Sequence, residues 1–497
     1  MKVRFKISII IFCFILSNIS CSEDLLELNE NPNVSTGNVD PKQLFGSVLF
    51  GYLEQIDGSK SRFNAGFGVC GQWAQQFAIK NDVFGYYATD NGLFNRVWEE
   101  FYNISGSLRN ANALIELSEE QDFRAYEACT RILKVYMFSV ITDLWGDVPY
   151  FDAGKANLEG SQFQLPVFDM QENIYDDMIS QLEIANNLLS RLRANERVEN
   201  DLLYSGNMLK WRKFSNSLKL RLLVRISNKK DTWPKVTEIF NNPSTFPIFE
   251  SIDDQANIRY NIDGAVYPPH WLTEAELTRE QVDRTSETMV KILTKTSTVD
   301  PRLFVFCEPT QESVFSGGPL EYVGQPVGLI NDTAPQSQRS TLGLGIRNLE
   351  IYWLQSYAEV ELIRTEAQFL GHVGGNASDS YNKGIQASFD SFVTQNQLEL
   401  DYFNNPENHF SDTNALEQII TQRWIDNFLN GYEGLSVWRR TGFPDLVAVS
   451  GQSTIPRRFI YPDKSLDTNP LNAQNAIDRN PLNGNNTIFA SVWWDDR

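Results

Sequence analysis

Apolar side chains recur at the spacing of an α-helix along most of the chain, and this periodicity constrains the fold more than any other feature. In the segment 107–117, for example, the apolar residues at positions 108, 111, 114 and 115 share one helix face. The same spacing predicts helices at 107–117, 123–144, 174–192, 208–226, 286–296, 350–370, 377–389 and 416–429. The sequence therefore predicts a mainly α fold.

One of these helices carries the pattern of a helical repeat. Ala377, Tyr381 and Gly384 reproduce the small–aromatic–small spacing in the second helix of a tetratricopeptide unit. Earlier helix pairs are candidates for further copies, although none shows the full signature of about 34 residues. We therefore predict a tetratricopeptide-like scaffold of helical pairs whose repeats are degenerate.

The helical pattern stops between residues 243 and 348. Short apolar runs alternate there with Pro, Gly, Asp and Thr, and one helix is predicted, at 286–296. Irregular segments of this length in compact proteins usually carry function. We expect this large, loop-rich segment to form the ligand side of the molecule. The tail at 452–497, rich in Asn, Pro and Asp, is expected to wrap the surface.

The composition supports a large folded protein and argues against nucleic acid as a partner. The 497 residues include 32 Phe, 18 Tyr and 11 Trp, which is ample for a large core. A formal net charge of -20 disfavours binding to nucleic acid and to anionic membrane surfaces. We predict one domain over 42–497 with a neutral or cationic ligand.

The N-terminus has the order of a bacterial lipoprotein signal. Basic residues precede an apolar run at 7–16, which is too short to span a bilayer because that needs about 20 apolar residues. Ser20 then places a small residue before Cys21. We predict a signal peptide at 1–20 and lipidation of Cys21. Asn18 stands where the usual pattern has Leu, so an ordinary secretory signal cut nearby is the alternative.

Residues 21–41 are predicted to be the acylated cysteine and a flexible tether. The segment 22–24 is acidic, and a stretch rich in Asn, Pro, Ser and Gly follows it. A net-acidic segment after the cysteine resembles the surface-export signal of Bacteroidetes lipoproteins, and a generic polar linker is the alternative. We therefore expect a lipid-anchored protein at the cell surface of the outer membrane.

The cysteines indicate neither a disulfide framework nor a zinc site. Five are present, and none forms a CxxC pair. After removal of Cys13 and modification of Cys21, three remain: Cys70, Cys129 and Cys307. We predict that these are buried thiols.

Residues that could support catalysis or metal binding are few. His270, His372 and His409 are far apart in sequence, and neither HExxH nor GxSxG occurs. A glycosidase needs two carboxylates, so that class of enzyme stays an alternative. We predict no enzymatic activity and no cofactor. Calcium among loop carboxylates such as Asp253 and Asp254 would lack the spacing of an EF-hand.

Several charged residues near tryptophans have expected structural roles. Asp143, Asp147 and Glu433 lie near helix ends, where we expect capping and ion pairing instead of catalysis. Arg439 and Arg440 could bind an anion, but forked pairing with internal carboxylates is the expected role.

Aromatic and amide side chains on predicted loops offer the chemistry that neutral sugars need. A sugar ring stacks its apolar face on an aromatic ring, and its hydroxyl groups bind amides and carboxylates. Core packing is the alternative for every aromatic residue. The predicted ligand-binding residues are Trp73, Gln76, Asn81, Phe84, Tyr86, Tyr87, Tyr267, Trp271 and Tyr322.

Several sequence blocks along the mature chain carry a family resemblance. They are DLWGDVPY at 143–150, KWRKFSNSL at 210–218, DPRL at 300–303, SYAEV at 356–360, GYEG at 431–434 with WRRTG at 438–442, and PRR at 456–458 ahead of YP at 461–462. In order and spacing they resemble the SusD-like subgroup of the SusD/RagB family, the nutrient-binding outer-membrane lipoproteins of Bacteroidetes.

The resemblance implies a SusD-like fold with tetratricopeptide-like pairs on one side and an irregular half that bears the ligand site. It implies binding without catalysis. It also implies capture of an oligo- or polysaccharide and its delivery to a SusC-like, TonB-dependent transporter, on which the protein docks as a lid. A peptide ligand in the same uptake role is the alternative, and a glycoside hydrolase is the alternative outside that role.

Overall fold

The computed structural model describes residues 40–55, 65–80, 85–87, 89, 91–103, 106–156, 160–259, 283–329, 331–347 and 351–497. The predicted signal peptide, Cys21 and nearly all of the predicted tether lie outside these residues. Lipidation therefore stays a prediction. None of the helices that the structure describes has the length and apolar character needed to cross a bilayer.

Long helices dominate the first half of the described chain. They are α1 (Pro41–Gln55), α2 (Asn91–Tyr102), α3 (Ser107–Gln121), α4 (Arg124–Trp145), α5 (Gln171–Leu189), α6 (Met208–Arg225) and α7 (Trp233–Asn241). Between α1 and α2 lie a π-helical turn, Ala65–Cys70, the short helical turn Gly71–Trp73 and strand β1, Phe77–Ile79.

Short elements follow, and long helices then return. The short elements are β2 (Ala256–Arg259), β3 (Asp283–Thr285), α8 (Glu287–Leu293), α9 (Leu303–Phe306), α10 (Gln311–Ser316), α11 (Leu344–Arg347) and β4 (Ile351–Gln355). The later helices are α12 (Tyr357–Phe369), α13 (Ala377–Phe392), α14 (Asn396–Asn404), α15 (Ala415–Asp426), α16 (Gly431–Thr441), α17 (Asp463–Thr468) and α18 (Pro470–Asp478).

Helices adjacent in sequence pack against each other, which confirms the predicted scaffold of helical pairs. Helix α4 touches α3, α5, α6 and α1, and most of its side chains are therefore buried. In the α12–α13 pair, Tyr381 is buried, and a Cβ atom on Gly384 would lie 2.8 Å from Cγ of Leu362. The small residue at 384 thus lets the two helices approach closely, as the repeat-like spacing predicts.

The predicted helix at 350–370 is partly wrong. Residues Ile351–Gln355 form strand β4, which pairs antiparallel with β2, and the helix begins after them. Ser356 marks the change because its side-chain oxygen accepts from the backbone N–H of Glu359 at 3.0 Å, as an N-cap does. The sequence IYWLQ is rich in residues that favour strands, and β2 supplies its partner.

The C-terminal tail enters the core, which corrects the prediction that it wraps the surface. Trp494 is fully buried, and its indole Nε1 donates to Oδ1 of Asp143 at 2.7 Å. Arg457 forms an ion pair with Asp495. The tail is polar in composition, but the tryptophan near its end supplies a large apolar side chain to bury.

The three described cysteines are buried and free of disulfides, as predicted. Burial raises the pKa of Cys307 to about 12. These thiols therefore act as small apolar core residues.

Candidate functional site

Strands β1 and β3 adjoin, in sequence, two stretches that carry predicted ligand residues. Ile79 in β1 lies opposite Asp283 in β3, and the strands run antiparallel. The chain that follows β1 and the chain that precedes β3 therefore meet this sheet at the same end. Those stretches carry four predicted ligand residues that lie outside the described residues: Asn81, Phe84, Tyr267 and Trp271.

A third segment lies beside the end of β3. The backbone N–H of Gln325 donates to the carbonyl oxygen of Thr285 at 3.0 Å, and the N–H of Glu287 donates to the carbonyl oxygen of Gln325 at 2.8 Å. The Gln325 side chain also donates from Nε2 to Oδ2 of Asp332 at 3.0 Å. The loop-rich segment that carries Tyr322 is thereby fixed next to the sheet.

Three turns meet near this sheet, and we call them the three-turn cluster: residues 85–87, 325–328 and 447–452. A Cβ atom on Gly328 would lie 2.5 Å from the carbonyl oxygen of Gly85 and 2.9 Å from Cγ1 of Val449. Gly328 also has a φ of 70°, which glycine adopts readily. Gln452 Nε2 donates to the carbonyl oxygen of Tyr86 at 3.3 Å. The cluster therefore depends on close backbone approach.

The buried side chain of Tyr87 connects its own turn, 85–87, with the turn at 447–452. Its hydroxyl oxygen accepts from the backbone N–H of Val449 at 3.3 Å, and its ring meets Phe489 edge-on with centroids 6.4 Å apart. The side chain is buried, and burial raises the pKa of its hydroxyl. This predicted ligand residue is thus placed as a support of the cluster.

Trp73 and Gln76, predicted as ligand contacts on a loop, lie in the core. Trp73 has a relative exposure of 0% and meets Phe459 edge-on with centroids 5.4 Å apart. Gln76 is equally buried, and its Nε2 donates to the carbonyl oxygen of Trp424 at 2.6 Å. Core packing, the alternative for every aromatic residue, therefore describes Trp73, and the Gln76 side chain likewise has no exposed surface to offer a ligand.

Among the predicted ligand residues that the structure describes, Tyr86 and Tyr322 keep exposed surface. Tyr86 is half-buried beside the turn at 447–452, where a Cβ atom on Gly451 would lie 2.9 Å from its hydroxyl oxygen. Tyr322 meets Phe304 edge-on with centroids 5.4 Å apart, and partial burial raises the pKa of its hydroxyl. Their roles as ligand contacts stay predictions.

An open groove of about 520 Å³ runs beside the three-turn cluster. Its volume is within the usual range for small-molecule sites, about 300–1,000 Å³. Apolar side chains such as Val327 and Val447 line it together with hydroxyl, amide and charged groups. Val447 is 75% exposed, which offers an apolar surface at the groove.

None of the predicted ligand-binding residues within the described ranges lines the groove, and Gln75 is one of the lining residues that sequence reasoning missed. Its Nε2 donates to the carbonyl oxygen of Val447 at 2.5 Å, and its Oε1 accepts from the hydroxyl of Thr288 at 2.9 Å. Gln75 and Gln76 are adjacent glutamines that the sequence alone does not distinguish, and the difference between them is their backbone conformation. Gln75 has a φ of 55°, which turns its side chain toward the groove while Gln76 enters the core.

Both lysines along the groove are paired with carboxylates. Lys291 Nζ lies 3.1 Å from Oε1 of Glu287, and Lys295 Nζ lies 3.4 Å from Oε1 of Glu417. Asp445 adds a further carboxylate to the lining. The groove therefore has no excess of positive charge and suits a neutral ligand better than an anionic one.

The carboxylates that could suggest catalysis are held in the core. Asp143 accepts from the hydroxyl of Tyr175 at 2.6 Å and forms an ion pair with Arg225. Glu433 pairs with Arg225 and lies 3.6 Å from Arg221. The predicted role in ion pairing is confirmed for both carboxylates.

Asp147 and the two arginines at 439 and 440 also have internal partners. Asp147 lies 3.2 Å from Arg479, and burial raises its pKa to about 6. Arg440 binds Glu366 with two hydrogen bonds, as predicted. Arg439 differs from the prediction because its Nη1 donates at 2.7 Å to the carbonyl oxygen of Asp143, not to a carboxylate.

Of the two carboxylates considered for calcium, Asp254 has protein partners. Asp254 Oδ2 lies 2.8 Å from Nζ of Lys213 and accepts from the backbone N–H of Glu250 at 3.0 Å. Within the described ranges, no group of three or more His, Cys, Asp or Glu side chains is placed to hold a metal ion.

Solved structures of other proteins share this fold. One is a chitin-binding protein with 24% sequence identity over 92% of this chain and 100% of its own, at a TM-score of 0.78. Another is a chitin-binding SusD homolog from Flavobacterium johnsoniae, with 22% identity over 91% and 98% and a TM-score of 0.73. A SusD homolog from Bacteroides fragilis has 25% identity over 92% and 99% and a TM-score of 0.74.

Sequence comparison assigns the family. No curated protein matches the chain. The sequence model of a SusD-like family, described as starch-binding and associating with the outer membrane, matches residues 32–462, which include the groove and the three-turn cluster. Because this match covers most of the 497 residues, the chain belongs to the SusD-like family of starch-binding proteins that associate with the outer membrane.

Proposed function

We propose that the protein is a cell-surface lipoprotein that captures an oligo- or polysaccharide and delivers it to a SusC-like, TonB-dependent transporter. The family match over residues 32–462 carries this proposal. Two structures with the same fold are described as chitin-binding, which supports a glycan as the ligand class.

The surface around β1, β3 and the three-turn cluster is the proposed ligand side. Tyr86 and Tyr322 lie there with exposed surface, and Trp271 belongs to the chain that leads into β3. Aromatic faces bind the apolar face of a sugar ring, while amide and carboxylate groups bind its hydroxyl groups. The paired charges of the adjacent groove support a neutral glycan.

Binding without cleavage is part of the proposal. A retaining glycosidase needs two carboxylates about 5–5.5 Å apart on either side of the scissile bond. The carboxylates at 143 and 433 instead neutralise buried arginines. To act as a general acid, either carboxylate would first have to be protonated. Protonation would leave its arginine partner charged and unpaired in the core.

Attachment through Cys21 completes the proposed uptake role. An acylated cysteine would hold the protein at the outer membrane, while a tether over 21–41 would let the folded body move as a lid. The acidic net charge of -20 agrees with an exposed protein that does not rely on a basic patch for membrane contact.

Incubation with a panel of glycans and peptides tests the ligand class and the absence of turnover. The panel contains chitin oligosaccharides, maltooligosaccharides and peptides, and both retention and product release are measured. We expect retention of a neutral glycan with no product. New reducing ends would contradict the binding role, and retention of peptides alone would favour the peptide alternative.

Fractionation of cells tests the anchor and the partner. Cys21→Ser should release the protein from the membrane, and unchanged membrane association would refute lipidation. Capture of the wild-type protein from outer membranes in mild detergent should recover a large transporter. Failure to recover one would contradict the lid role.

A further inference from the structure

A cavity on the helical side of the molecule contains an ammonium group that makes no hydrogen bond or ion pair with the described residues. The cavity, of about 490 Å³, lies between α3, α4 and α5 and is distinct from the groove described above. Lys134 of α4 lines it. Among the residues that the structure describes, no hydrogen-bond acceptor or carboxylate lies within bonding distance of its Nζ, and the ring of Phe138 is 6.0 Å away.

Three other charged groups of this cavity, Arg131, Glu119 and Asp177, have protein partners. Arg131 binds Glu127, with 2.9 Å between Nε and Oε1, and also pairs with Glu119. Asp177 accepts from the hydroxyl of Tyr150 at 2.7 Å. Among the three cations that line this cavity, Lys134 is therefore the one without a hydrogen bond or ion pair to the residues that the structure describes.

A partly buried cation without a partner is unfavourable, and an anion in the cavity would relieve this cost. Burial and the charge of Arg131 lower the pKa of Lys134 to about 8, so the ammonium form still predominates at neutral pH. The groups that face Lys134 include Asp177, whose charge opposes this lowering, and Lys155, whose charge adds to it.

We propose that this cavity is a second ligand site, which binds a small hydroxylated carboxylate such as a uronic acid with Lys134 as the counter-ion. The carboxylate would pair with the ammonium group. Hydroxyl groups of the ligand would donate to the carboxylates of Glu116 and Asp177, which also line the cavity. The volume is within the range of small-molecule sites. This inference does not depend on the proposed capture of a neutral glycan.

Calorimetric titration at pH 7 tests the site with glucuronate, acetate and glucose as probes. We expect glucuronate to bind, and glucose to bind at least tenfold more weakly because it lacks the carboxylate. Acetate separates the requirement for a carboxylate from the requirement for hydroxyl groups, and it should bind more weakly than glucuronate. Equal binding of glucose and glucuronate, or of acetate and glucuronate, would overturn the proposal.

Two variants locate the binding. Lys134→Met keeps the length of the side chain and removes its charge, and it should weaken glucuronate binding at least tenfold. Lys155→Met is the matched control, because Lys155 also lines the cavity but lies 3.8 Å from Asp152. It should change the affinity less than threefold. Unchanged affinity in Lys134→Met, or an equal loss in both variants, would contradict the assignment.

A measurement on the wild-type protein covers the case in which Lys134→Met does not fold. Amine acetylation is mapped by mass spectrometry with and without glucuronate. Glucuronate should slow acetylation of Lys134 at least fivefold and leave that of exposed lysines such as Lys291 unchanged, and glucose should have no effect. Equal acetylation of Lys134 in all three samples would refute the site.

Discussion

Arg440 and Glu366 face each other in the core as an ion pair with two hydrogen bonds. Nη1 lies 2.8 Å from Oε1, and Nη2 lies 2.7 Å from Oε2. Glu366 also lies 3.6 Å from Arg423, which is 3.4 Å from Glu359. Glu359 pairs in turn with Arg221. One continuous set of buried ion pairs therefore joins α16, α12, α15 and α6.

Removal of one partner from this set should strongly destabilise the fold. Glu366→Leu leaves Arg440 charged and unpaired in the core, which should lower the free energy of unfolding by about 3–5 kcal/mol. Urea denaturation at pH 7 measures the change. The double variant Glu366→Leu with Arg440→Met should recover part of the loss, because it removes both charges.

A matched exposed pair is the control for this prediction. Glu287 and Lys291 are 3.1 Å apart on the surface of α8, and both side chains are exposed. Glu287→Gln should have a much smaller effect than Glu366→Leu, because water solvates the charge that remains. Similar effects in the two variants would contradict the role of burial.

Acid should weaken the fold through Glu433. Burial alone would raise its pKa, but Arg225 and Arg221 outweigh that effect and lower it from 4.5 to about 2. The ionised form therefore stabilises the folded state above the ordinary pKa, and this contribution is lost as the pH falls through the window between those values. In urea denaturation, stability should decline less between pH 5 and pH 3 in Glu433→Gln than in the wild type. Parallel declines would refute this assignment.

Asp147 should make the free energy of unfolding depend on pH in the opposite direction to Glu433. Burial raises its pKa from 3.8 to about 6, so the folded state holds this proton more tightly than the unfolded state. Its contribution to stability therefore declines as the pH rises from 3.8 to about 6. Asp147→Asn removes the titration, and its stability relative to the wild type should increase across that window. A relative stability that stays constant or decreases would contradict the prediction.

Gly328 tests the dependence of the three-turn cluster on close backbone approach. Gly328→Ala introduces a Cβ atom 2.5 Å from the carbonyl oxygen of Gly85 at a φ of 70°, so it should lower both stability and glycan affinity. Gly317→Ala is the control, because Gly317 has a similar φ of 66° but no atom within 4 Å of the added Cβ. Thermal unfolding and glycan titration should show a larger loss for Gly328→Ala. Equal losses would mean that backbone conformation alone explains the effect.

The sequence predicted the helices well where one face of a periodic segment is buried by its neighbours in the chain. It failed where partners distant in sequence decide the structure. IYWLQ contains apolar residues that extend the helical pattern of 357–370, but its partner, β2, lies about a hundred positions earlier. Trp494 likewise enters the core because Asp143 accepts its indole N–H, a partner that the local composition of the tail does not reveal.

Local composition does not distinguish a buried aromatic residue near the candidate site from one that keeps exposed surface. Trp73 and Tyr86 have the same sequence signal, an aromatic residue among polar neighbours, yet the first is buried and the second keeps exposed surface. Trp73 packs against Phe459, whereas Tyr86 lies beside the turn at 447–452, and these partners distant in sequence leave no local signal.

The central claim is that the protein binds a neutral glycan without cleaving it. Titration of such glycans into variants with single aromatic residues removed tests it most directly. Chitin oligosaccharides and maltooligosaccharides are titrated by calorimetry into the wild type, Tyr86→Ala, Trp271→Ala and Tyr357→Ala. Tyr357 is a half-buried tyrosine of α12, away from the three-turn cluster, and serves as the control. We predict that the wild type binds at least one of the glycans without releasing product. Tyr86→Ala and Trp271→Ala should each weaken that binding at least tenfold, about 1.4 kcal/mol, with Tyr357→Ala unchanged. Wild-type affinity in both Tyr86→Ala and Trp271→Ala would contradict the proposed ligand side, and release of reducing ends would contradict binding without cleavage.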